Sequence, residues 1–163
     1  MQAPINMLAI FGASFVGLII GFIWYHPKVF GNAWMKEAGV DPNTGKGMNM
    51  AVVFGLTWVL CFFLAFAIAP LSIHQMGFYS MLQGKDPAMA DTFNSVMNVY
   101  GSNFRTFRHG ALHGLLAGLF IAFPMVAINA MFERKSWKYI FINAGYWVVV
   151  LTIMSMILCH FRP

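Results

Sequence analysis

The sequence predicts an all-α membrane protein: a bundle of four transmembrane helices with one or two short interfacial helices. Four stretches contain no Asp, Glu, Lys or Arg, and they cover residues 5–25, 50–73, 109–132 and 139–159. At about 1.5 Å of rise per residue, a helix of about 20 residues crosses a hydrocarbon core of about 30 Å. The chain of 163 residues is 60% hydrophobic and only 9% charged, whereas soluble domains carry about 25% charged residues.

The composition also bounds the domain organisation and the partners. The four stretches use more than half of the chain, so residues 1–163 are predicted to form a single transmembrane domain. Their apolar runs are continuous rather than alternating, which excludes a closed barrel of strands. The formal net charge is +5, but the basic residues are scattered over the loops, so the lipid bilayer is the expected partner and nucleic acid is not.

The connection after the first span predicts an interfacial helix and a turn. The span ends with Trp24 and Tyr25, an aromatic pair typical of the membrane interface, and Pro27 marks its exit. Residues 28–38 mix apolar and charged side chains, which favours a short helix in the headgroup region. Residues 39–47 are rich in glycine and contain a proline, which predicts a turn.

The longest connection, residues 75–108, predicts a second interfacial helix. Asp86 followed by Pro87 is typical of an N-cap and the first helical position. Apolar residues then recur at helical spacing until Gly101. These residues are Met89, Phe93, Val96, Met97 and Tyr100.

Loop charges predict the orientation of the bundle. With four spans, the first and third loops share one side of the membrane, and the second loop and both termini share the other. The first side carries Lys28, Lys36, Lys46, Arg134, Lys135 and Lys138, and the second carries Lys85, Arg105, Arg108 and Arg162. Because basic residues accumulate in cytoplasmic loops, this bias places the first and third loops in the cytoplasm and both termini outside.

Small residues recur at four-residue spacing on two spans. They are Ala13, Gly17 and Gly21 on span one and Gly110, Gly114 and Gly118 on span three. Rows of small residues let helix backbones approach closely in lipid, which predicts that both rows are packing faces, within the chain or against another subunit. The alternative is that the rows only reflect the general abundance of glycine in membrane helices.

Four histidines are expected near one membrane face. His109 and His113 lie one helical turn apart, and such a pair can ligate a metal or a haem or pass a proton. Span two ends, span three begins and span four ends on the same side, so His74 and His160 are expected there too. The alternative is that these side chains only hydrogen-bond to backbone or lipid, because no CxxC or HExxH motif accompanies them. No particular cofactor is indicated.

Other polar residues at the spans allow further hypotheses. Arg105 and Arg108 precede span three and are candidates for binding a lipid headgroup or a partner's carboxylate, although flanking basic residues commonly serve topology alone. Asn129 and Asn143 lie at similar depth in spans three and four and are predicted to form an intramembrane polar pair. Pro124 removes the donor for the carbonyl of an earlier residue and is expected to bend span three.

Three functions remain open from these residues. The first is a structural or accessory subunit that packs through its glycine-rich faces within a larger membrane complex or a homo-oligomer. The second is a metal- or haem-binding membrane protein that uses the histidines, and the third is a small transporter or channel with Pro124, Asn129 and Asn143 along its path. No enzyme is expected, because no span contains a carboxylate and no P-loop, dinucleotide fingerprint or nucleophile–base spacing is present.

Several sequence stretches resemble one family of small bacterial membrane proteins. GFIWY at 21–25 and FGNAWM at 30–35 are similar to the start of that family. HGALHG at 109–114, INAMFERKSWKY at 128–139 and NAGYW at 143–147 are similar to its second half. The family is known only as a domain of unknown function with four predicted spans. The resemblance implies a four-span fold in the bacterial inner membrane and brings no reaction, substrate or catalytic residue with it.

Overall fold

A computed structural model describes residues 2–41, 49–82 and 87–163, and within these ranges the chain forms helices and no strand. The helices are α1 Met7–Ser14, α2 Val16–Trp24, α3 Asn32–Ala38, α4 Met50–Ser72, α5 His74–Met81, α6 Pro87–Tyr100, α7 Phe107–Ala117, α8 Phe123–Phe132 and α9 Trp137–His160. Four helical stretches are long and apolar enough to cross a membrane: Met7–Trp24, Met50–Ser72, Phe107–Phe132 and Trp137–His160. The predicted fold class is confirmed.

Hydrogen-bonded caps determine where the spans begin. The side chains of Asn6, Asn49, Thr106 and Ser136 each accept a hydrogen bond from a backbone N–H in the first turn of the following helix. Such caps satisfy amide groups that have no partner within the helix. The helices that Thr106 and Ser136 cap therefore begin two residues earlier than the predicted stretches 109–132 and 139–159.

A wide turn interrupts span three beside Pro124. Residues Gly118–Ala122 form a π-helical turn between α7 and α8, and the N–H of Phe123 donates to the carbonyl of Gly118. A π turn inserts one extra residue into the helix, and it lies where the proline removes a backbone donor. The sequence predicts a bend of span three at Pro124, and the structure has this π turn directly before the proline.

The last span, α9, is the centre of the bundle. Ten of its residues are buried, against five in α4, although the two helices have similar lengths. The core includes Ile10 from span one, Ala65 from α4, and Val150, Met154 and Leu158 from α9. The remaining spans pack around α9 and leave their outer apolar faces to the bilayer, as is usual for helices in lipid.

The short helices outside the spans are partly those that the sequence predicts. The first interfacial helix consists of a π-helical turn at Pro27–Gly31 and α3, and the second is α6. α5 is an additional helix, because the extended backbone of Ile73 (φ −111°, ψ 97°) separates it from α4. The predicted turn within residues 42–47 and the predicted N-cap at Asp86 lie outside the described residues.

Hydrogen bonds join distant segments at both ends of the bundle. At one end, Asn6 Nδ2 donates to the carbonyl of Arg162 over 2.6 Å, so the segments before α1 and after α9 meet. This end, where α4 ends and α7 begins, is called the histidine face below. At the opposite end, the loop face, Ser136 Oγ donates to Glu37 Oε2 over 2.6 Å and Lys135 Nζ donates to the carbonyl of Ala38 over 2.9 Å.

Candidate metal site

Three of the predicted histidines converge at the histidine face. Nε2 of His74 and Nε2 of His109 are 2.8 Å apart, a hydrogen bond in which one ring donates and the other accepts. The ring centroid of His113 lies 4.5 Å from that of His109 and 5.0 Å from that of His74. One ring nitrogen from each side chain lies within 4.8 Å of the other two. We call these three residues the histidine triad.

Local backbone geometry positions each member of the triad. The extended backbone at Ile73 ends α4 and makes His74 the first residue of α5. Thr106 caps α7, and its hydroxyl oxygen accepts the backbone N–H of His109 over 3.2 Å. His113 follows one turn later, so it projects from the same face of the helix. The triad thus combines the start of α5 with the first two turns of α7.

The spacing of the triad suits one metal ion. Metal–nitrogen bonds of about 2.0–2.1 Å in a tetrahedral site place two ligand nitrogens about 3.3 Å apart. For one ion to bind all three side chains, the hydrogen-bonded pair has to open by about half an ångström, and nitrogens near the 4.8 Å limit have to approach by about 1.5 Å. Three imidazoles leave a fourth position for water or another ligand. The mutual contacts of the three rings suit a single ion better than a haem plane held between two of them.

Phe104 covers the triad and is a residue that the sequence analysis missed. Its ring centroid lies 5.6 Å from that of His74 and 5.1 Å from that of His109. Its backbone is left-handed, with φ of 63°, a conformation that is rare for a bulky residue and strains the chain. The sequence does not predict this conformation, because a left-handed position is usually occupied by glycine or asparagine and not by phenylalanine.

His160 is not part of the triad. Its ring stacks on Phe107, with centroids 3.8 Å apart and planes inclined by 17°. His160 lies at the predicted end of the bundle, because span four ends there. Its side chain is directed towards Phe107, and the order of the spans does not determine that direction. His160 is therefore removed from the set of predicted ligands.

Arg105 and Arg108 have different surroundings. Arg105 is only 3% exposed, and its Nη1 and Nη2 atoms each donate over 3.1 Å, to the carbonyls of Pro4 and Phe161. Burial lowers the pKa of its guanidinium, which nevertheless stays protonated. Arg105 therefore joins the two segments that flank the bundle and does not face lipid headgroups as predicted. Arg108 is exposed, so binding of a lipid headgroup or a partner's carboxylate stays a prediction for this residue.

Asn129 and Asn143 do not form the predicted polar pair. Asn143 Oδ1 accepts from the hydroxyl of Tyr25 over 3.1 Å and from Nε1 of Trp34 over 3.2 Å. Its Nδ2 donates to the carbonyl of Tyr139 over 2.8 Å. Asn129 is exposed on its own helix. The interfacial segment after span one supplies the partners instead, because it folds back over the loop face.

The glycine row of span three lies against the backbone of α9. A Cβ atom added to Gly114 would lie 2.5 Å from Cα of Thr152, and one added to Gly118 would lie 2.7 Å from Cα of Val148. Gly110 makes a similarly close approach one turn earlier. Distances below 3.0 Å leave no room for a side chain. This face is thus occupied within the chain.

The row on span one is also covered by the chain itself. Ala13 is fully buried, and a Cβ atom on Gly17 would lie 2.5 Å from Sγ of Cys61. The hydroxyl of Tyr146 donates to the carbonyl of Gly17 over 2.8 Å. At Gly21 an added Cβ would meet the Tyr146 ring at an ordinary contact distance of 3.7 Å. The two rows face spans two and four and do not face each other.

The fold and the spans define a class, the four-span α-helical membrane proteins. The chain belongs to the family described as "Protein of unknown function (DUF1761)", whose match covers residues 8–159. The resemblance to a four-span family known only as a domain of unknown function is thereby confirmed. No curated protein and no solved structure matches the chain.

Proposed function

We propose that this membrane protein binds one transition-metal ion through His74, His109 and His113. The observation that carries the proposal is the convergence of three imidazoles within 4.8 Å from segments 35 residues apart in sequence. Imidazole suits zinc, copper, nickel and iron, and three neutral ligands at a membrane face add no charge of their own. The proposal covers binding of the ion and assigns no catalytic step to it.

The proposal is tested by metal analysis and titration of the purified protein in detergent. We expect about one metal ion per chain after native purification, and saturable binding of Zn²⁺ by the chelator-treated protein. H113A is expected to weaken Zn²⁺ binding at least about 100-fold, since it removes a ligand. H160A is the matched control and is expected to bind normally, because His160 stacks on Phe107. Equal losses in both variants, or no saturable binding, would contradict the proposal.

The pH dependence gives a second measurement. Only neutral imidazole binds a metal ion, so protons compete with the metal for all three side chains. We expect the apparent affinity for Zn²⁺ to be constant above about pH 7.5 and to fall progressively below about pH 6. A pH-independent affinity across this range would indicate that the metal is held by other groups.

An accessory role in a larger membrane complex or a homo-oligomer is a separate hypothesis. It would need a different surface from the predicted one, since spans two and four already cover the two rows of small residues. Its test is purification from the source membrane in mild detergent, followed by mass spectrometry of co-purifying proteins. A monomer without partners would contradict it.

A transporter or channel finds less support. Asn143 is held by three hydrogen bonds and Asn129 is exposed on its helix, so the proposed polar path is not assembled. Solute flux into liposomes above that of empty vesicles is the observation that would restore this hypothesis.

We further propose a bacterial inner membrane location with the histidine face outside the cytoplasm. The support is the excess of basic residues in the first and third loops, which cytoplasmic loops usually carry. Reporter fusions after Pro163 and within the third loop, for example after Lys135, would test this orientation. A Pro163 fusion that reports a cytoplasmic location would contradict the proposed orientation.

A further inference from the structure

Phe104 combines a strained backbone with an exposed side chain. Its φ of 63° lies in the left-handed region, which a bulky residue adopts only at a cost in free energy. Its side chain is 60% exposed, so burial in the core does not account for a phenylalanine at this position. Strained residues of this kind persist where surrounding contacts impose the conformation, and they concentrate at ligand-binding sites. The contacts of Phe104 therefore indicate what the strain achieves.

Hydrogen bonds from two different helices hold the backbone around Phe104. Sγ of Cys159, near the end of α9, donates to the carbonyl of Phe104 over 3.2 Å. The backbone N–H of Thr106 donates to the same carbonyl over 2.9 Å. On the other side, Nε2 of Gln75 in α5 donates to the carbonyl of Asn103 over 2.8 Å. The position of Phe104 is thus fixed relative to both α5 and α9.

The ring of Phe104 lies against both members of the hydrogen-bonded histidine pair. It meets the ring of His74 edge to face, with planes inclined by 88° and centroids 5.6 Å apart. Its plane is inclined by 37° to that of His109, with centroids 5.1 Å apart. Such ring contacts are favourable in themselves. They also restrict rotation of the two imidazoles and keep water away from one side of the pair.

We propose that Phe104 is a positioning residue of the metal site, which keeps His74 and His109 directed towards the ion and slows release of the ion into water. This inference rests on the proposed binding of a metal ion by the triad. Phe104 does not bind the ion itself and acts through the two imidazoles. Groups that orient metal ligands, and apolar groups that limit the access of solvent, commonly change metal affinity by about 10- to 100-fold.

The experiment measures how fast the full chain in detergent micelles loses Zn²⁺. The loaded protein is mixed with excess pyridylazoresorcinol, a chelator whose colour changes when it takes up Zn²⁺, in a stopped-flow instrument. We expect F104A to release Zn²⁺ at least about 10-fold faster than the wild type, and F104Y, which keeps the ring, to release it at the wild-type rate. F107A is the matched control, because Phe107 is an exposed aromatic residue nearby that stacks on His160, and its release rate should not change.

F104G separates positioning of the ligands from stability of the fold. Glycine adopts the left-handed backbone without strain, so metal-free F104G should unfold at a higher fraction of SDS than metal-free F104A. Both variants lack the ring and should release Zn²⁺ equally fast. A residue that acted only through stability would instead give the slower release in F104G, and that result would overturn the proposal.

The same measurements distinguish failure of this inference from failure of the metal site. A wild-type protein that binds Zn²⁺ saturably, with F104A and F104G releasing it at the wild-type rate, would reject the role of Phe104 and leave the metal site standing. A wild-type protein that binds no Zn²⁺ would reject the metal site, and the role of Phe104 with it.

Discussion

Replacing Gly114 by alanine tests whether the close contact between spans three and four determines the stability of the bundle. An added Cβ would lie 2.5 Å from Cα of Thr152 and 2.8 Å from the carbonyl carbon of Leu151. Both atoms belong to the backbone of α9, so they cannot be avoided by a side-chain rotation. The two helices would have to separate by about 1 Å to restore ordinary contact distances, which begin near 3.4 Å.

The expected magnitude follows from comparison with Gly12, another helical glycine. A Cβ atom added to Gly12 meets nothing within 4 Å. Alanine should favour the helix by about 1 kcal/mol at either position, so this gain cancels when the two variants are compared. What remains is overpacking at Gly114, about 2–3 kcal/mol. We therefore expect G114A to be about 2–3 kcal/mol less stable than G12A.

The assay is reversible unfolding of the full chain in mixed micelles of mild detergent and SDS, followed by circular dichroism. Both variants are compared with the wild type in the same micelles, so that the midpoints give differences in the free energy of unfolding. If G114A were as stable as G12A, the backbone contact between the two spans would not hold the bundle together, and the described packing would be refuted.

Two further predictions use the same unfolding assay. N143L leaves the half-buried donors of Tyr25 and Trp34 without their acceptor and should lose about 1–2 kcal/mol. N129L, at an exposed position, should stay within about 0.5 kcal/mol of the wild type, and similar losses in both would contradict the assigned partners. R105L removes the donors that join the flanking segments and should lose about 2 kcal/mol, whereas R108L should change stability by less than about 0.5 kcal/mol. A stable R105L protein would show that these bonds contribute little.

The spans were predictable because lipid imposes a simple rule on the sequence. A charged side chain in the hydrocarbon core is strongly unfavourable, so uncharged stretches reveal the helices directly. The caps at Thr106 and Ser136 were readable in principle, because a hydroxyl residue before an apolar run is a standard helix start. They extend the helices beyond the uncharged residues and account for the small differences in bounds.

The details of the site were not predictable in the same way. Topology brought His74, His109 and His160 to one end of the bundle, but it did not give the direction of each side chain around its helix. The left-handed backbone at Phe104 and the extended backbone at Ile73 depend on tertiary contacts that no local pattern shows. Asn143 was paired with the wrong residue for the same reason, since its partners come from a segment 109–118 residues earlier in the chain.

The central position of α9 has a consequence for biogenesis. α9 is the last of the four spans to leave the ribosome, yet the glycine row of span three and the core residues of spans one and two pack against it. Until it arrives, the earlier spans lack their main packing partner, and the carbonyl of Phe161 that Arg105 binds has not yet been made. The histidine face therefore reaches its final packing only after the whole bundle has been inserted.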